Sequence, residues 1–212
     1  MSKGIKWGIG ILLLVFTLYN SVYFKPLDEF KAAADNQKFS PESFARDLMQ
    51  NKVPAVKAFQ AVEFYNRLQN DFDAFVEQNG KELGVSNYRY FMLSGEGEVV
   101  EVGEENVTVN LLGLENTTMC IATDFIFGNT LRDASGLVSI SDYANTMDFN
   151  NISVEMNRIV INEVIPPFVE QVAIGQMLSF KGALKVNIEE RNWDDLRLIP
   201  VELTISNSSN NQ

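Results

Sequence analysis

The chain contains no histidine and only one cysteine, Cys120. The lack of histidine removes the commonest general base and a common zinc ligand, and it excludes Ser–His and Cys–His catalytic mechanisms. A single cysteine cannot form an intramolecular disulfide. Cys120 lies in an apolar run, which favours a buried structural thiol over a reactive one.

Positive charge is also scarce. The sequence has 17 lysine and arginine residues against 28 aspartate and glutamate residues, for a formal net charge of -11. Such a chain repels phosphate backbones and anionic lipid headgroups, so nucleic acid is not expected as a partner. What the sequence does have is a hydrophobic fraction of 46% over 212 residues, enough for one medium domain with a real core and a small appendage.

Residues 7–24 form an almost uncharged apolar run behind Lys3 and Lys6. At about 1.5 Å per residue this run spans about 27 Å, near the lower limit for crossing a bilayer. A cleaved signal peptide is the alternative, but the run ends in the bulky Tyr23 and Phe24, which favours an uncleaved transmembrane anchor. The two lysines predict a cytosolic N-terminus. We therefore expect a single-pass protein of the bacterial inner membrane, with its C-terminal domain in the periplasm.

Two helical patterns follow the apolar run. Ser40 is a favourable N-cap and Pro41 a favourable first helical residue, which predicts a helix to about Lys52. A second pattern covers residues 56–78, and its aromatic stripe is typical of a core-facing helix. Asn79-Gly80 is a natural stop for that helix.

From Tyr88 onward, the pattern of apolar residues is typical of β-strands and no longer of helices. The segments YRYFMLSG, GEVVEV, NVTVNLLGL and TTMCIATDFIF are separated by turn residues and predict short antiparallel strands, arranged as a small barrel or a curled sheet. Farther on, Asn151 or Ser153 is expected to cap a helix that ends or bends at Pro166-Pro167. Residues 177–182 and 184–188 are expected to form a pair of strands, and residues 196–205 a last one.

The predicted organisation therefore has four parts. Residues 1–25 are the cytosolic tip and the transmembrane anchor, and residues 26–86 are a helical segment. Residues 87–205 are a β-rich barrel domain with one inserted helix, and residues 206–212 are a disordered tail.

The stretch from Ala122 to Asn150 contains the candidate site, because it places polar and glycine residues among short apolar pieces. One hypothesis is that its polar side chains line a cleft for a polyol. The other is that the arginine forms a buried salt bridge with a neighbouring aspartate. The candidate residues are Arg132, Asp133, Asp142, Asn145 and Asp148.

Two further features of the sequence bear on ligands. The aspartates of the stretch lack the spacing of an EF-hand loop, so no metal site is predicted, and no cofactor is expected. Trp193 lies in a polar segment, where its ring is suited either to stack on a sugar or to cover the edge of the barrel.

The central stretch resembles an uncharacterised bacterial family of predicted periplasmic lipoproteins, often encoded beside sugar ABC transporters. The match consists of Gly128, Leu131-Arg132-Asp133-Ala134-x-Gly136-Leu137-Val138, Asp142-Tyr143-x-Asn145 and Asp148-Phe149. Weaker agreement covers nearly the whole exported part. The resemblance implies an α+β fold, a small antiparallel β-barrel like an oligonucleotide/oligosaccharide-binding (OB) fold with flanking helices. The lipoprotein cysteine is absent after the apolar run, so a transmembrane anchor is expected in its place.

These observations predict a non-enzymatic, membrane-anchored periplasmic module that binds a ligand or partner. Its link to sugar uptake, with a sugar or an ABC-transporter component as partner, is implied by the resemblance alone. Two alternatives remain open. One is a glycan hydrolase that uses two carboxylates and needs no histidine. The other is a purely structural protein of envelope assembly.

Overall fold

The computed structural model describes residues 39–143, 145–191, 193 and 196–206, together with positions 4, 5, 7 and 16. The chain divides into two compact units, residues 1–39 and residues 40–212. Among the described residues, no helix is both long enough and apolar enough to cross a bilayer. The anchor predicted over residues 7–24 lies almost entirely outside the described residues, as do residues 207–212 of the predicted tail.

The second unit is built on a closed barrel of five strands. They are β2 (Tyr88–Val102), β3 (Asn106–Leu111), β4 (Thr118–Ala122), β5 (Met177–Asn187) and β6 (Arg197–Ser206). The order around the barrel is β2-β3-β4-β6-β5, and β5 pairs back onto β2. Only the β4–β6 pair is parallel among these described strands. The predicted small barrel with flanking helices is confirmed, although Ser206 belongs to the last strand and not to the tail.

Strand β2 is one continuous element that pairs with two other strands of the barrel, so the two separate strands predicted there were wrong. Residues 88–98 pair with β5 and residues 97–102 with β3. Gly95 and Gly97 do not form a turn. A Cβ on Gly95 would lie 2.8 Å from Phe180 Cζ, and one on Gly97 would lie 2.7 Å from the carbonyl oxygen of Asn110. These glycines let neighbouring segments approach closely.

The strand pair predicted over residues 177–182 and 184–188 was also wrong, because β5 runs through Gly182 without a break. A Cβ at this position would overlap the carbonyl oxygen of Ile199 and the side chain of Leu198 on β6. The pairing of β5 with β6 shifts register between Lys181 and Gly182. The glycine therefore marks an irregular, closely packed point of the ladder.

The helices before the barrel follow the sequence signals in part. Helix α1 (Pro41–Asp47) begins at the predicted cap, where Ser43 N donates to Ser40 Oγ at 3.3 Å. The helix predicted over residues 56–78 is instead the two-residue strand β1 (Phe59–Gln60) and two helices, α2 (Ala61–Asn70) and α3 (Phe72–Asn79). Because β1 pairs in parallel with β2, the backbone of Phe59 and Gln60 is extended and does not join the helix. Asp71 breaks the helix with φ -150° and ψ 46°, and the predicted stop after α3 is confirmed.

The described residues between β4 and β5 include three α-helices: α4 (Thr130–Ser135), α5 (Thr146–Ile159) and α6 (Ile165–Val169). Helix α5 is capped by Asn145, whose Oδ1 accepts from Asp148 N at 2.8 Å, so the caps predicted at Asn151 or Ser153 were too late. A π-helical turn, Val160–Val164, joins α5 to α6. The predicted end at the two prolines was wrong: α5 ends earlier, at Ile159, and the prolines lie in the first turn of α6, where proline is tolerated.

An aromatic cluster fixes α2 and α3 against the barrel. The ring centroids of Phe64 and Phe91 are 5.1 Å apart, and those of Phe75 and Phe91 are 5.6 Å apart. All three side chains are at most 1% exposed. The aromatic stripe of the helical pattern is thus part of the core, as predicted, and it places the corner between α2 and α3 on the barrel surface.

Candidate functional site

The predicted pair Arg132 and Asp133 is buried in α4, with 2% and 9% of each residue exposed. Arg132 Nε donates to Asp133 Oδ1 at 2.7 Å, and Arg132 Nη1 donates to the carbonyl oxygen of Phe149 at 3.1 Å. A buried charge is tolerated when it is paired and hydrogen-bonded. The pair therefore forms the buried salt bridge that was one of the two hypotheses. The guanidinium of Arg132 bonds to groups of the protein itself, Asp133 and Phe149.

Asn129 extends this network to the barrel. Its Nδ2 donates to the hydroxyl oxygen of Tyr90 on β2 at 3.1 Å and also to Asp133 Oδ2. Burial raises the pKa of Tyr90, and the negative charge of Asp133 raises it further, whereas the bond from Asn129 and the charge of Arg132 lower it. Both carboxylate oxygens of Asp133 are thus engaged by side chains of its own domain.

Lys81 holds the end of α4 from the other side. Its Nζ donates to the carbonyl oxygens of Ala134 at 2.7 Å and of Ser135 at 2.8 Å. Burial lowers the pKa of Lys81. A cation at this end of a helix satisfies carbonyl groups that have no partner within the helix. Together these contacts fix the central stretch to the barrel.

The other three candidate residues lie elsewhere. Asn145 caps α5, and its Nδ2 donates to Asp148 Oδ2 at 2.9 Å. Asp142 lies on the exposed 3-10 turn Ile140–Asp142, where its Oδ1 accepts from Ser141 Oγ at 3.5 Å. Hydrogen bonds therefore join Arg132 to Asp133 and Asn145 to Asp148. Among the described residues, none joins these two pairs to each other or either pair to Asp142.

Cys120 is partly exposed, so the predicted buried position was wrong. Its neighbours on β4, Met119 and Ile121, are fully buried in the barrel. Successive residues of a strand point to opposite faces, which turns Cys120 outward beside Thr108 and Arg197. Within the part of the chain that the structure describes, no group of three or more acidic, cysteine or histidine side chains is placed to hold a metal ion.

An open cleft of about 580 Å³ lies at the corner between α2 and α3. One wall is aromatic: the rings of Phe72 and Trp193 are 4.8 Å apart with an interplanar angle of 36°. Trp193 belongs to the connection between β5 and β6. The rest of the lining is mostly polar and comprises Leu68, Gln69, Asn70, Asp71, Asp73 and Arg191.

Arg191 joins the two sides of this cleft. Its Nη2 donates to Asp73 Oδ1 at 2.6 Å, and its guanidinium lies 4.8 Å from the ring centroid of Phe72. Arg191 has a φ of 46°, a left-handed conformation that few non-glycine residues adopt. An aromatic wall beside carboxylates, amides and a guanidinium is suited to a ring with an apolar face and a hydroxylated edge.

Sequence reasoning identified Trp193 as a candidate sugar platform but missed Asp73 and Arg191. Asp73 was hidden inside a helical pattern, and Arg191 stood in a charged segment typical of a solvated loop. The available signal was the combination of tryptophan with nearby charges. Only the fold brings residues 68–73 to the connection between β5 and β6.

Comparisons with known proteins agree with this architecture. An OB-fold protein from Thermotoga maritima MSB8 has a similar structure, with a TM-score of 0.71 and 28% sequence identity over 80% of this chain and 100% of that chain. The OB-like barrel implied by the resemblance is thereby confirmed. No protein of curated function shows significant similarity.

A family model described as "Predicted periplasmic lipoprotein (DUF2291)" matches residues 12–204. This description supports the expected periplasmic, membrane-associated location. A match over most of the sequence shows that the chain belongs to the family of predicted periplasmic lipoproteins.

Proposed function

We propose that the protein is a non-enzymatic periplasmic binding module that holds a neutral saccharide in the cleft between residues 68–73 and the β5–β6 connection, as an accessory to sugar uptake. The observation that carries the proposal is the aromatic wall of Phe72 and Trp193 beside the Arg191–Asp73 bridge. The link to uptake rests on the family resemblance, whose members are often encoded beside sugar ABC transporters.

The composition of the cleft favours a sugar over other small ligands. The C–H face of a pyranose or furanose packs on an aromatic ring, while its hydroxyl groups bond to carboxylates, amides and guanidinium groups. Asp73 is bridged to Arg191, the one cation of the described lining, and Asp71 is bridged to Arg67, so the charges around the cleft are balanced. This balance disfavours phosphorylated or acidic sugars and favours neutral ones.

The position of the cleft on the barrel is a second support. In OB folds, the connection between the last two strands is one of the loops that bind oligosaccharides and oligonucleotides. Trp193 and Arg191 lie in that connection. The net charge of -11 disfavours oligonucleotides, which leaves saccharides as the class that fits both the fold and the charge.

The state of the carboxylates favours binding over turnover. In the cleft, Asp71 is bridged to Arg67 and Asp73 to Arg191. Asp133 and Asp142 of the central stretch lie outside the lining of the cleft. A two-carboxylate hydrolase needs both groups to flank the scissile bond. Asp133 is buried with both oxygens engaged, and Asp142 lies on an exposed turn. The hydrolase and the assembly protein remain alternatives that the following experiment separates.

The test is a titration of the full chain with neutral pentoses, hexoses and disaccharides. Trp7 and Trp193 are the two tryptophans, so a Trp7→Phe background makes Trp193 the only tryptophan reporter. We expect a saturable change of its fluorescence with at least one sugar, and calorimetric binding that is weakened in Asp73→Asn and lost in Trp193→Ala.

Controls separate this site from general effects. Phe127→Ala removes another exposed aromatic side chain and is expected to leave binding intact, since Phe127 does not line the cleft. Because Trp193 packs on the core, Asp71→Asn serves as a second variant that keeps the aromatic wall. A flat response to every sugar rejects the proposal in favour of an assembly role. Release of sugar from a glycoside panel would instead establish the hydrolase.

A further inference from the structure

A second groove, of about 380 Å³, lies between the turn that joins β2 to β3 and helix α6. Its floor is apolar and includes Val102, Ile165 and Val169. Ile165 is 6% exposed, whereas Val102 and Val169 are 41% and 47% exposed. These side chains form one concave apolar patch, and an exposed apolar patch with a polar rim is a kind of surface that binds partners.

The rim of the groove is acidic. Glu104, Asp124 and Glu170 line it, and none of the described lining residues is basic. Arg197 reaches the same loop, but its Nη1 donates to the carbonyl oxygen of Phe125 at 3.2 Å and its Nη2 to that of Glu105 at 3.3 Å and to that of Asp124. Its hydrogen bonds therefore hold the backbone and do not pair with the rim carboxylates. None of the three rim carboxylates has an ion-pair partner among the described residues, so the rim carries negative charge above an apolar floor.

The loop that carries Asp124 is pre-formed. Thr123 N and Asp124 N donate to the carbonyl oxygen of Glu105 at 2.9 and 3.1 Å, and Phe125 N donates to Asp124 Oδ1 at 2.7 Å. Phe125 has a φ of 48° and is 56% exposed. A bulky residue in this conformation is uncommon and is kept only where the surroundings impose it. The result is an aromatic side chain held in solvent next to the acidic rim.

We infer that this groove docks a cationic, apolar peptide segment of a partner protein, in which a lysine or arginine stands beside a branched aliphatic residue. The aliphatic side chain covers Val102 and Val169, and the cation lies among the three rim carboxylates. Charge complementarity selects this occupant, since an anionic membrane surface or a nucleic acid carries the same sign as the rim. The site is separate from the saccharide cleft and shares none of its lining residues.

The surface beside the groove favours a peptide over a small amine. Phe125 does not line the groove, but it follows directly after the rim residue Asp124 and is 56% exposed. A small amine fills the groove and leaves the ring of Phe125 in water, whereas a peptide covers both. Anchoring by an aliphatic residue with flanking charge is a usual way for a domain to recognise a segment of a partner.

The experiment measures fluorescence polarisation of a labelled peptide of alternating lysine and leucine with the full chain. Two matched peptides replace either every lysine by glutamate or every leucine by serine. We expect saturable binding of the lysine–leucine peptide, and at least tenfold weaker binding of each matched peptide, because both the charge and the apolar contact are required (about 1.4 kcal/mol per factor of ten).

Variants locate the binding on the protein. The double variant Glu104→Gln with Glu170→Gln is expected to weaken binding of the peptide about tenfold. The control double variant Glu63→Gln with Glu77→Gln removes the same amount of charge from α2 and α3, and it is expected to leave binding of the peptide unchanged. Val169→Ser is expected to weaken binding, and Val154→Ser, at an exposed valine of α5, is the matched control. Equal effects of the two double variants would show unspecific charge attraction and overturn the proposal.

Two further outcomes identify other occupants. If the chain sediments as a dimer and Val169→Ser makes it a monomer, the groove is covered by a second copy, and the peptide assignment is rejected. If the peptide fails to bind while an alkylamine saturates the site, the ligand is a small amine, and the peptide assignment is rejected as well. Neither outcome bears on saccharide binding, because the variants that test the two sites do not overlap.

Discussion

The guanidinium carbon of Arg132 lies 3.6 Å from the ring centroid of Phe149, and Arg132 Nη1 donates to the carbonyl oxygen of that same residue at 3.1 Å. Phe149 belongs to α5 and Arg132 to α4. Phe149 thus contacts the guanidinium of Arg132 through both its ring and its carbonyl oxygen. The carboxylate of Asp133 neutralises the positive charge. The two helices between β4 and β5 are fixed to each other at this point.

Removal of the guanidinium is expected to destabilise the domain strongly. Arg132→Met keeps the length of the side chain but leaves the carboxylate of Asp133 buried without its cation, at a cost of about 3–5 kcal/mol. The measurement is urea-induced unfolding at neutral pH. In the double variant Arg132→Met with Asp133→Asn, part of this loss should return, because the unpaired charge is gone. A single variant as stable as the parent chain would show that the pair is not a structural element.

The hydroxyl group of Tyr90 is expected to make the domain sensitive to alkali. Burial raises the pKa of Tyr90 above its usual value of 10.0, so the folded state favours the neutral phenol. This contribution is complete below about pH 10 and is lost as the pH rises toward the folded pKa, because the unfolded chain releases its proton first. Unfolding free energies at pH 8 and pH 11 should therefore fall less steeply for Tyr90→Phe than for the parent chain.

Other titrating groups do not obscure this comparison. Burial also raises the pKa of Tyr143, and burial lowers the pKa of Lys81, which gives a contribution of opposite sign just below its usual value of 10.5. Both are present in Tyr90→Phe and in the parent chain, so the difference between the two slopes reports Tyr90. Parallel slopes would mean that the phenol titrates alike in the folded and the unfolded chain.

Gly182 is expected to tolerate no side chain. In Gly182→Ala the new methyl group overlaps the carbonyl oxygen of Ile199, a backbone atom that cannot rotate away, and the expected loss is about 3 kcal/mol. Gly128→Ala is the control. Gly128 has a φ of 82° and nothing within 4 Å of an added Cβ, so only the left-handed conformation is penalised, by about 1 kcal/mol. Thermal melts of the two variants test this order, and the reverse order would contradict the packing at Gly182.

The sequence predicted those elements whose signals are local. Ser40 and Pro41 mark the start of α1 because capping involves only the residues that follow. The alternation of β3, with Val107 and Val109 buried and Asn110 exposed, follows from the two faces of a strand. The glycines within the strands led to wrong predictions because the reason for each of them lies in another segment of the chain. At Gly95 the requirement comes from Phe180 on another strand, and no local pattern distinguishes that from a turn.

The candidate site, like the fold, was predicted from the sequence only where its contacts are local. Arg132 and Asp133 are neighbours in sequence, so their pairing was a natural hypothesis, but Tyr90 and Phe149 joined them only through the fold. Asp142 was grouped with them because it lies nearby in sequence. The cleft at Trp193 depends on contacts between the first and last parts of the domain, and spacing alone contains no information about these.

The arrangement of β2 has a consequence for how the protein reaches its compartment. One edge of the first half of this strand pairs with β1 at Leu93 and Ser94. The other edge finds its partner only in β5, where Tyr88 lies opposite Asn187, so ring closure joins segments that are synthesised far apart. Contacts of such long range make folding slow. If the chain is exported from its N-terminus, the edge of β2 that pairs with β5 stays unpaired until almost the entire polypeptide has emerged. A holdase chaperone that covers this edge would protect the chain from self-association during that interval.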